Sequence, residues 1–308
     1  MSNNVLTEIQ MLESIIKAVE NYPHRLKTKD GRPGGLIEFP DSTEIIVVGD
    51  LHSNLNNLIR ILDDDGNRAD IAAGRKTLVI IGDTVHNDVM GQMKEMDTSI
   101  AMLEYIFKFM FEYPTGVVYV KGNHDTFDER LVKSGILQGK ELKAALIAKK
   151  GKEYQETVAR FFDALPLFII GKGYVITHAG PVRGGIGRDE LINIKDDPTK
   201  YHQLIWNRLH EFRGNPSQKE YGAHDIQATL AKLHLPADTL FIVGHNPLWG
   251  TGEKTGVWMD VLSIKNHHII YSGSGSLAPY FLIAAGTLTH KFPEVPTTPE
   301  AADPFGKR

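Results

Sequence analysis

The chain of 308 residues contains no cysteine. Disulfides, zinc–thiolate sites and thiol nucleophiles are therefore excluded, and the absence is compatible with a cytoplasmic location. No apolar stretch approaches the ~18 residues that would suggest a membrane span. Met1-Ser-Asn-Asn-Val5 also lacks the basic segment and apolar run of an export signal. We expect a cytoplasmic protein that does not associate with membranes. A formal net charge of −4 and the lack of a basic stripe argue against a nucleic-acid-binding surface, because phosphate contacts need clustered Lys and Arg. With 42% apolar residues at this length, the chain can bury a full core.

What is present is a repeated ending. Five apolar runs of strand length stop at an acid, an amide or a histidine: Glu44 to Asp50, Thr77 to Asp83, Gly116 to Asn123, Tyr174 to His178 and Thr239 to His245. Runs rich in Val and Ile read as strands buried on both faces. A small residue then turns the backbone, so that the next side chain leaves the sheet edge. Adding His52, these endings supply three oxygen donors and three imidazoles. The carboxyl ends of strands in open α/β sheets are where ligands bind. Asp50 and Asp83 side by side would repel unless a cation lay between them, so the composition points to a metal site.

Helical spacing of Val5, Ile9, Leu12, Ile16 and Val19 predicts an opening helix over 5–20. A Gly/Pro-rich loop is expected over 30–35. Ser53 is the expected N-cap of a helix carrying Leu55, Leu58, Ile59 and Leu62. Another helix is expected over about 97–112, with Ile100, Leu103, Phe107, Met110 and Phe111 on its apolar side. The order strand, helix, strand, helix, strand implies right-handed crossovers and a parallel sheet. Further on we expect mainly helix over 128–165, a hairpin over 167–177, and helices near 201–212 and 224–233. Strands are expected near 240–243, 257–262, 267–271 and 280–284. Residues 1–292 should form one domain, followed by a Pro-rich extended or disordered tail over 293–308.

Gly49-Asp-Leu-His-Ser-Asn-Leu55, Gly82-Asp-Thr-Val-His-Asn-Asp88, Gly122-Asn-His-Asp125, Thr177-His-Ala-Gly180 and Gly244-His245 resemble the calcineurin-like metallophosphoesterases. The resemblance spans residues 44 to about 286. It is nearest to the phosphoprotein-phosphatase (PPP) branch, with its bacterial members and the related dinucleoside-tetraphosphate hydrolases. It implies an α/β fold, an αββα sandwich of two central mixed sheets flanked by helices. It also implies a phosphatase, a hydrolase of phosphoric esters, with two divalent cations: Asp50 and His52 on the first, Asp83 bridging, and Asn123, His178 and His245 on the second. Oxygen and imidazole donors without sulfur suit Mn²⁺, the expected metal, with Fe or Zn²⁺ as alternatives. A metal-bridging hydroxide would attack phosphorus directly, and His124 is the candidate proton donor to the leaving group.

One segment departs from the pattern. Most PPP enzymes continue Val-Asp-Arg-Gly after the bridging Asp, whereas this chain has Val85-His86-Asn87-Asp88. A second imidazole cannot stabilise a protonated His124 as a carboxylate would, and Asn cannot make the bidentate contact of Arg with phosphate. Asp88 replaces the missing carboxylate, or His86 is itself the proton donor, or turnover is slow. Asn87 occupies the substrate-binding position, and Arg208, then Arg213, are the candidates for the lost phosphate grip. The expected substrate is a phosphorylated protein, at phosphoserine or phosphothreonine, or a small phosphoester. Nucleotides or dinucleoside polyphosphates are the alternative, favoured if aromatics near Trp206, Trp249 or Tyr280 line a pocket. A scaffold that kept the fold but lost catalysis is a third reading. Oligomeric state is not encoded in any of these features.

Overall fold

The computed structural model describes residues 7–212, 214–248 and 251–294. Two sheets pack face to face at the centre. The first has five strands, in the spatial order Thr287–Lys291, Tyr280–Ala284, Glu44–Val48, Lys76–Ile80, Val117–Tyr119. The last three run parallel and Tyr280–Ala284 is antiparallel to them. The second has seven, in the order Arg25–Lys27, Pro33–Glu38, Phe168–Gly171, Tyr174–Thr177, Leu240–Val243, His267–Ile270, Val257–Trp258. Tyr174–Thr177, Leu240–Val243 and His267–Ile270 are mutually parallel. Both sheets are mixed, and helices cover both outer faces.

Alternation along each strand divides the core in three. Ile45, Val47, Val79, Ile169, Ile176 and Ile242 face the other sheet and fill the space between them. Ile46, Val48, Leu78 and Ile80 point outward under the helices Glu8–Glu20, Leu55–Asp63, Asp97–Glu112 and Lys152–Ala164. Phe168, Val175, Phe241 and Val243 point outward on the far side, under Pro198–Trp206 and Ala223–Lys232. Strands with apolar side chains on both faces are what a four-layer sandwich requires.

Several expectations need correcting. The first helix runs Glu8–Glu20, capped by Thr7 in a reciprocal box with Gln10, and Val5 lies outside the described residues. Asn54, not Ser53, caps the next helix, because the Ser53 hydroxyl is engaged with Ser99 Oγ at 2.8 Å. Phe111 is exposed rather than buried. Of the loop expected over 30–35, residues 33–35 instead open the strand Pro33–Glu38. Its Gly35 sits where any side chain would strike Ile194, so the glycine permits close packing rather than a turn. The stretch 128–165 opens with a hairpin (Val132–Lys133, Ile136–Leu137) before two helices, Gln138–Lys150 and Lys152–Ala164. The helix expected over 201–212 instead spans Pro198–Trp206, and Arg208–Leu209 pairs as a short strand with Glu220–Tyr221. Val257–Trp258 is shorter than expected, and Thr287–Lys291 is an additional strand. Residues 295–308 of the expected tail lie outside the described residues.

Candidate metal centre and active site

Strand ends from both sheets meet at one rim. Glu44–Val48 leads to Asp50 and His52, Lys76–Ile80 to Asp83, and Val117–Tyr119 to Asn123 and His124. From the other sheet, Tyr174–Thr177 leads to His178 and Leu240–Val243 to His245. All seven side chains are buried. Asp83 belongs to two sets of donors, each with its atoms within 4.8 Å: with His52 and His124, and with His178 and His245. Asp50 is in neither set, yet its Oδ2 lies 3.8 Å from His52 Nε2 and its Oδ1 accepts the His245 N–H at 2.9 Å. Asn123 Oδ1 and Asp83 Oδ2 both face His178 Nε2, at 3.0 and 3.4 Å.

The backbone at this rim is held in uncommon conformations. His52, Ser53, Asp83, His86 and His245 all have positive φ, from 41° to 67°. Non-glycine residues rarely adopt this region, and such strain clusters at functional sites. Gly244 is required by contact, since a Cβ there would collide with Asp50 Oδ1.

The donor set fits divalent cations by its hydrogen bonds. His52 Nδ1 donates to the His86 carbonyl at 2.9 Å and His178 Nδ1 to the Ile81 carbonyl at 2.7 Å, leaving both Nε2 atoms facing inward. His245 is turned round: its Nε2 donates to the Trp206 carbonyl at 3.2 Å, which frees Nδ1. Backbone partners of this kind fix the tautomer of a metal ligand. Asp50 Oδ2 is buried with no hydrogen-bond partner, a costly arrangement unless something charged completes it.

Electrostatics agree. Burial, with Asp83 nearby, pushes the Asp50 carboxyl up to about 6. Burial would also raise Asp83, but His178, His124 and His52 hold it well below the usual range. Burial opposes charge on His178, yet Asp83 and Asp50 raise it to about 9. Without metal, the two buried carboxylates thus favour a protonated His178. Burial pushes His86 down to about 3 and His124 and His245 well below their usual value, so these rings are neutral near pH 7.

The candidates beyond the donors fare differently. His86 Nδ1 lies 3.2 Å from His124 Nδ1, so the residue beside the proton-donor candidate is an imidazole. Asp88 does not take the role of the missing carboxylate: its Oδ2 accepts the Tyr271 hydroxyl at 2.6 Å and lies 3.8 Å from Lys133 Nζ. Asn87 is turned into its own loop, where its amide donates to Gln92 at 3.2 Å and accepts the Val89 N–H at 2.9 Å. Arg208 stands on the short strand, with Nη1 donating to the His245 carbonyl. Arg213 and Trp249 lie outside the described residues, and Tyr280 is fully buried with its hydroxyl on Asp64 at 2.7 Å.

Sequence reasoning passed over Asp125. Its Oδ2 accepts the N–H groups of Gly122 (2.7 Å) and Asp83 (3.2 Å), and its Oδ1 accepts the Tyr119 hydroxyl at 2.6 Å. It therefore braces two donor-bearing turns at once. Its place in Gly122-Asn-His-Asp125 was the available signal. Tyr271, its ring 5.5 Å from that of His52, had none.

Strand ends of two sheets thus gather oxygen and imidazole donors at one rim, with Asp83 shared between two sets, an arrangement suited to metal-assisted hydrolysis. The family model of the calcineurin-like phosphoesterases matches residues 43–273, and the chain belongs to that family, whose members are hydrolases of phosphoric esters. No curated protein matches the chain significantly. Among solved structures, a protein serine/threonine phosphatase from Saccharomyces cerevisiae with similarity to human phosphatase PP5 superposes with TM-score 0.67 at 16% identity. The match covers 95% of this chain and 90% of that one. A cold-active protein-tyrosine phosphatase of a psychrophilic Shewanella species gives TM-score 0.52 at 15% identity, covering 83% of each chain. At these identities the likeness is one of fold. Among the described residues no helix is long and apolar enough to cross a membrane.

Proposed function

We propose that the chain hydrolyses phosphoric monoesters at a dinuclear site built from Asp50, His52, Asp83, Asn123, His178 and His245. The observation that carries this reading is Asp83, shared by two donor sets within 4.8 Å. Two divalent cations, Mn²⁺ being the best match to the donors, would supply an activated water and neutralise charge on the transferring phosphoryl group. The protein's own part is to hold and orient. His52, His178 and His245 are locked by backbone carbonyls, Arg208 offers a cation beside His245, and His124, next to Asn123, is the group assigned to the leaving oxygen.

Phosphoserine and phosphothreonine in proteins are the substrates that the PPP resemblance suggests first. A specific observation favours the second class, nucleotides. Beside Asn123 lies a cleft of about 580 Å³ lined by Lys121, Lys219 and the Arg130–Asp128 ion pair, and by Tyr201, His202 and Trp206. His202 and Trp206 stack at 5.9 Å with planes 20° apart. Cations and flat rings in one cleft suit a phosphate chain with a base attached.

The test is direct. Protein supplemented with Mn²⁺ should hydrolyse an aryl phosphate, and Asp83→Asn should lower the rate by ~10²–10³-fold, the order expected when a central charge-stabilising group is lost. Undiminished hydrolysis in that variant would refute the bridging role.

A further inference from the structure

One aromatic side chain closes a circuit of contacts around His52. Tyr271 follows the strand His267–Ile270 and is buried. Its ring lies 5.5 Å from the His52 ring with planes 31° apart, and its hydroxyl donates to Asp88 Oδ2 at 2.6 Å. Asp88 stands two residues after His86, whose carbonyl accepts the His52 Nδ1–H at 2.9 Å. From His52 the contacts therefore run through the Tyr271 ring and hydroxyl to Asp88, along the chain to the His86 carbonyl, and back to His52. One tyrosine thus bears on the position of that imidazole directly, and on its tautomer through residues 86–88.

The backbone beyond Tyr271 is registered on the same donor-bearing turn. Ser272 Oγ accepts the Gly49 N–H at 2.8 Å and donates to the Pro279 carbonyl at 2.7 Å. Gly273 N–H donates to the Asp50 carbonyl at 2.6 Å, and a Cβ on Gly273 would strike the Leu51 carbonyl. These bonds fix the ring of Tyr271 in register with His52. Such constraint matters because His52 and His86 both have positive φ, 41° and 67°. Conformations of this kind persist only where the surroundings over-determine them. His178 and His245 are held instead by the carbonyls of Ile81 and Trp206, contacts in which Tyr271 has no part.

We infer that Tyr271 is a positioning residue for the cation assigned to Asp50 and His52. It acts through its ring on His52 and through its hydroxyl on the segment that supplies the His86 carbonyl. This rests on the dinuclear reading above and adds that the two metal positions depend on different parts of the chain. Losing the hydroxyl releases Asp88, which keeps only Lys133 Nζ at 3.8 Å. Losing the ring as well removes the aromatic wall from His52. The two roles are therefore separable by substitution: phenylalanine keeps the wall and breaks the tether, whereas leucine removes both.

The experiment titrates the full chain with Mn²⁺ by calorimetry, as wild type, Tyr271→Phe, Tyr271→Leu, Asp88→Ala and the double variant Tyr271→Phe/Asp88→Ala. Wild type should bind two ions. Tyr271→Phe should weaken one of them on the order of 10-fold and Tyr271→Leu on the order of 100-fold, the range usual for outer partners of metal ligands, with the other ion shifting by less than about threefold. Asp88→Ala should match Tyr271→Phe, and the double variant should lose no more than either single change, because both break the same contact. Electron paramagnetic resonance gives a second readout. At Mn²⁺ levels that fill both positions in wild type, the coupled-pair spectrum should give way to that of an isolated ion in Tyr271→Leu. Should that variant not fold, Tyr271→Phe and Asp88→Ala decide the matter. Equal weakening of both ions, unchanged affinity in both single variants, or additive losses in the double variant would overturn the inference and leave the dinuclear reading intact. Wild-type protein that takes up no Mn²⁺ would overturn that reading, and this inference with it.

Discussion

The rim has two halves that obey different rules. On the metal-binding half, every donor candidate sits one to four residues past a buried strand, and each imidazole is oriented by a main-chain carbonyl. On the half that carries the proposed substrate contacts, Asp88 is held by Tyr271, Asn87 by its own loop and Arg208 by the His245 carbonyl. The first half is specified by where strands stop. The second is specified by what loops from distant parts of the chain happen to touch. A residue type at the right spacing therefore says which side chains converge at the rim and says little about what a loop side chain touches.

Changes on the metal half should be felt most. Asp125→Asn removes a carboxylate that braces the turns of Asp83 and Asn123. It should weaken metal affinity about 10–100-fold, the usual cost of losing an outer-sphere partner. Isothermal titration with Mn²⁺ measures this directly, and unchanged affinity would mean that the turns hold without it. Arg208→Ala should lower kcat/KM by ~10–100-fold, as expected for one charged hydrogen bond to phosphate, while metal content stays constant. A parallel loss of metal would move Arg208 to the other half of the comparison.

The pH dependence of metal-free stability follows from the histidines. His86 is depressed to about 3 and His124 and His245 well below their usual value, so below about 6.5 the unfolded chain binds more protons and stability falls as pH drops. Asp50, raised to about 6, partly offsets this on the acid side. His178 is raised to about 9, so its contribution is complete below 6.5 and is lost as pH climbs through 9. Thermal unfolding should therefore peak near neutrality. Mn²⁺ should flatten the alkaline limb, since a ligating His178 is neutral. If the metal-free melting temperature stays level from pH 6.5 to 9, His178 carries no such charge.

The smallest effect is expected at Asn87. Because its amide serves the 87–92 loop, Asn87→Ala should cost about 1 kcal/mol of stability and change turnover by less than about threefold. A larger kinetic loss, read as a rise in KM, would restore it as a substrate contact.

The donors were legible in sequence because a strand buried on both faces cannot tolerate Asp50 or His178 within it. A polar residue at its end must therefore lie at the rim. The parallel order of Glu44–Val48, Lys76–Ile80 and Val117–Tyr119 followed from the intervening helices in the same way. Arg208 was misplaced on a helix because Trp206 and Asn207 carry no breaker. The helix ends there as the Asn207 amide turns to the Pro181 carbonyl at 3.0 Å, 26 residues away. Residues 33–35 were misread for a related reason, since Gly34 is held against Leu26 and Ile192 and Gly35 against Leu191 and Ile194 rather than in a local turn.

Local alternation and the residues that interrupt it were enough to determine the family, the five strands that lead to the rim and the six donor candidates. Only tertiary structure decided which nitrogen of each histidine faces inward, that Asp88 belongs to Tyr271, and that His124 rests against His86. Strand burial is a property of neighbouring residues in the chain, whereas a hydrogen bond between loops depends on atoms that folding alone brings within 3 Å or so of each other.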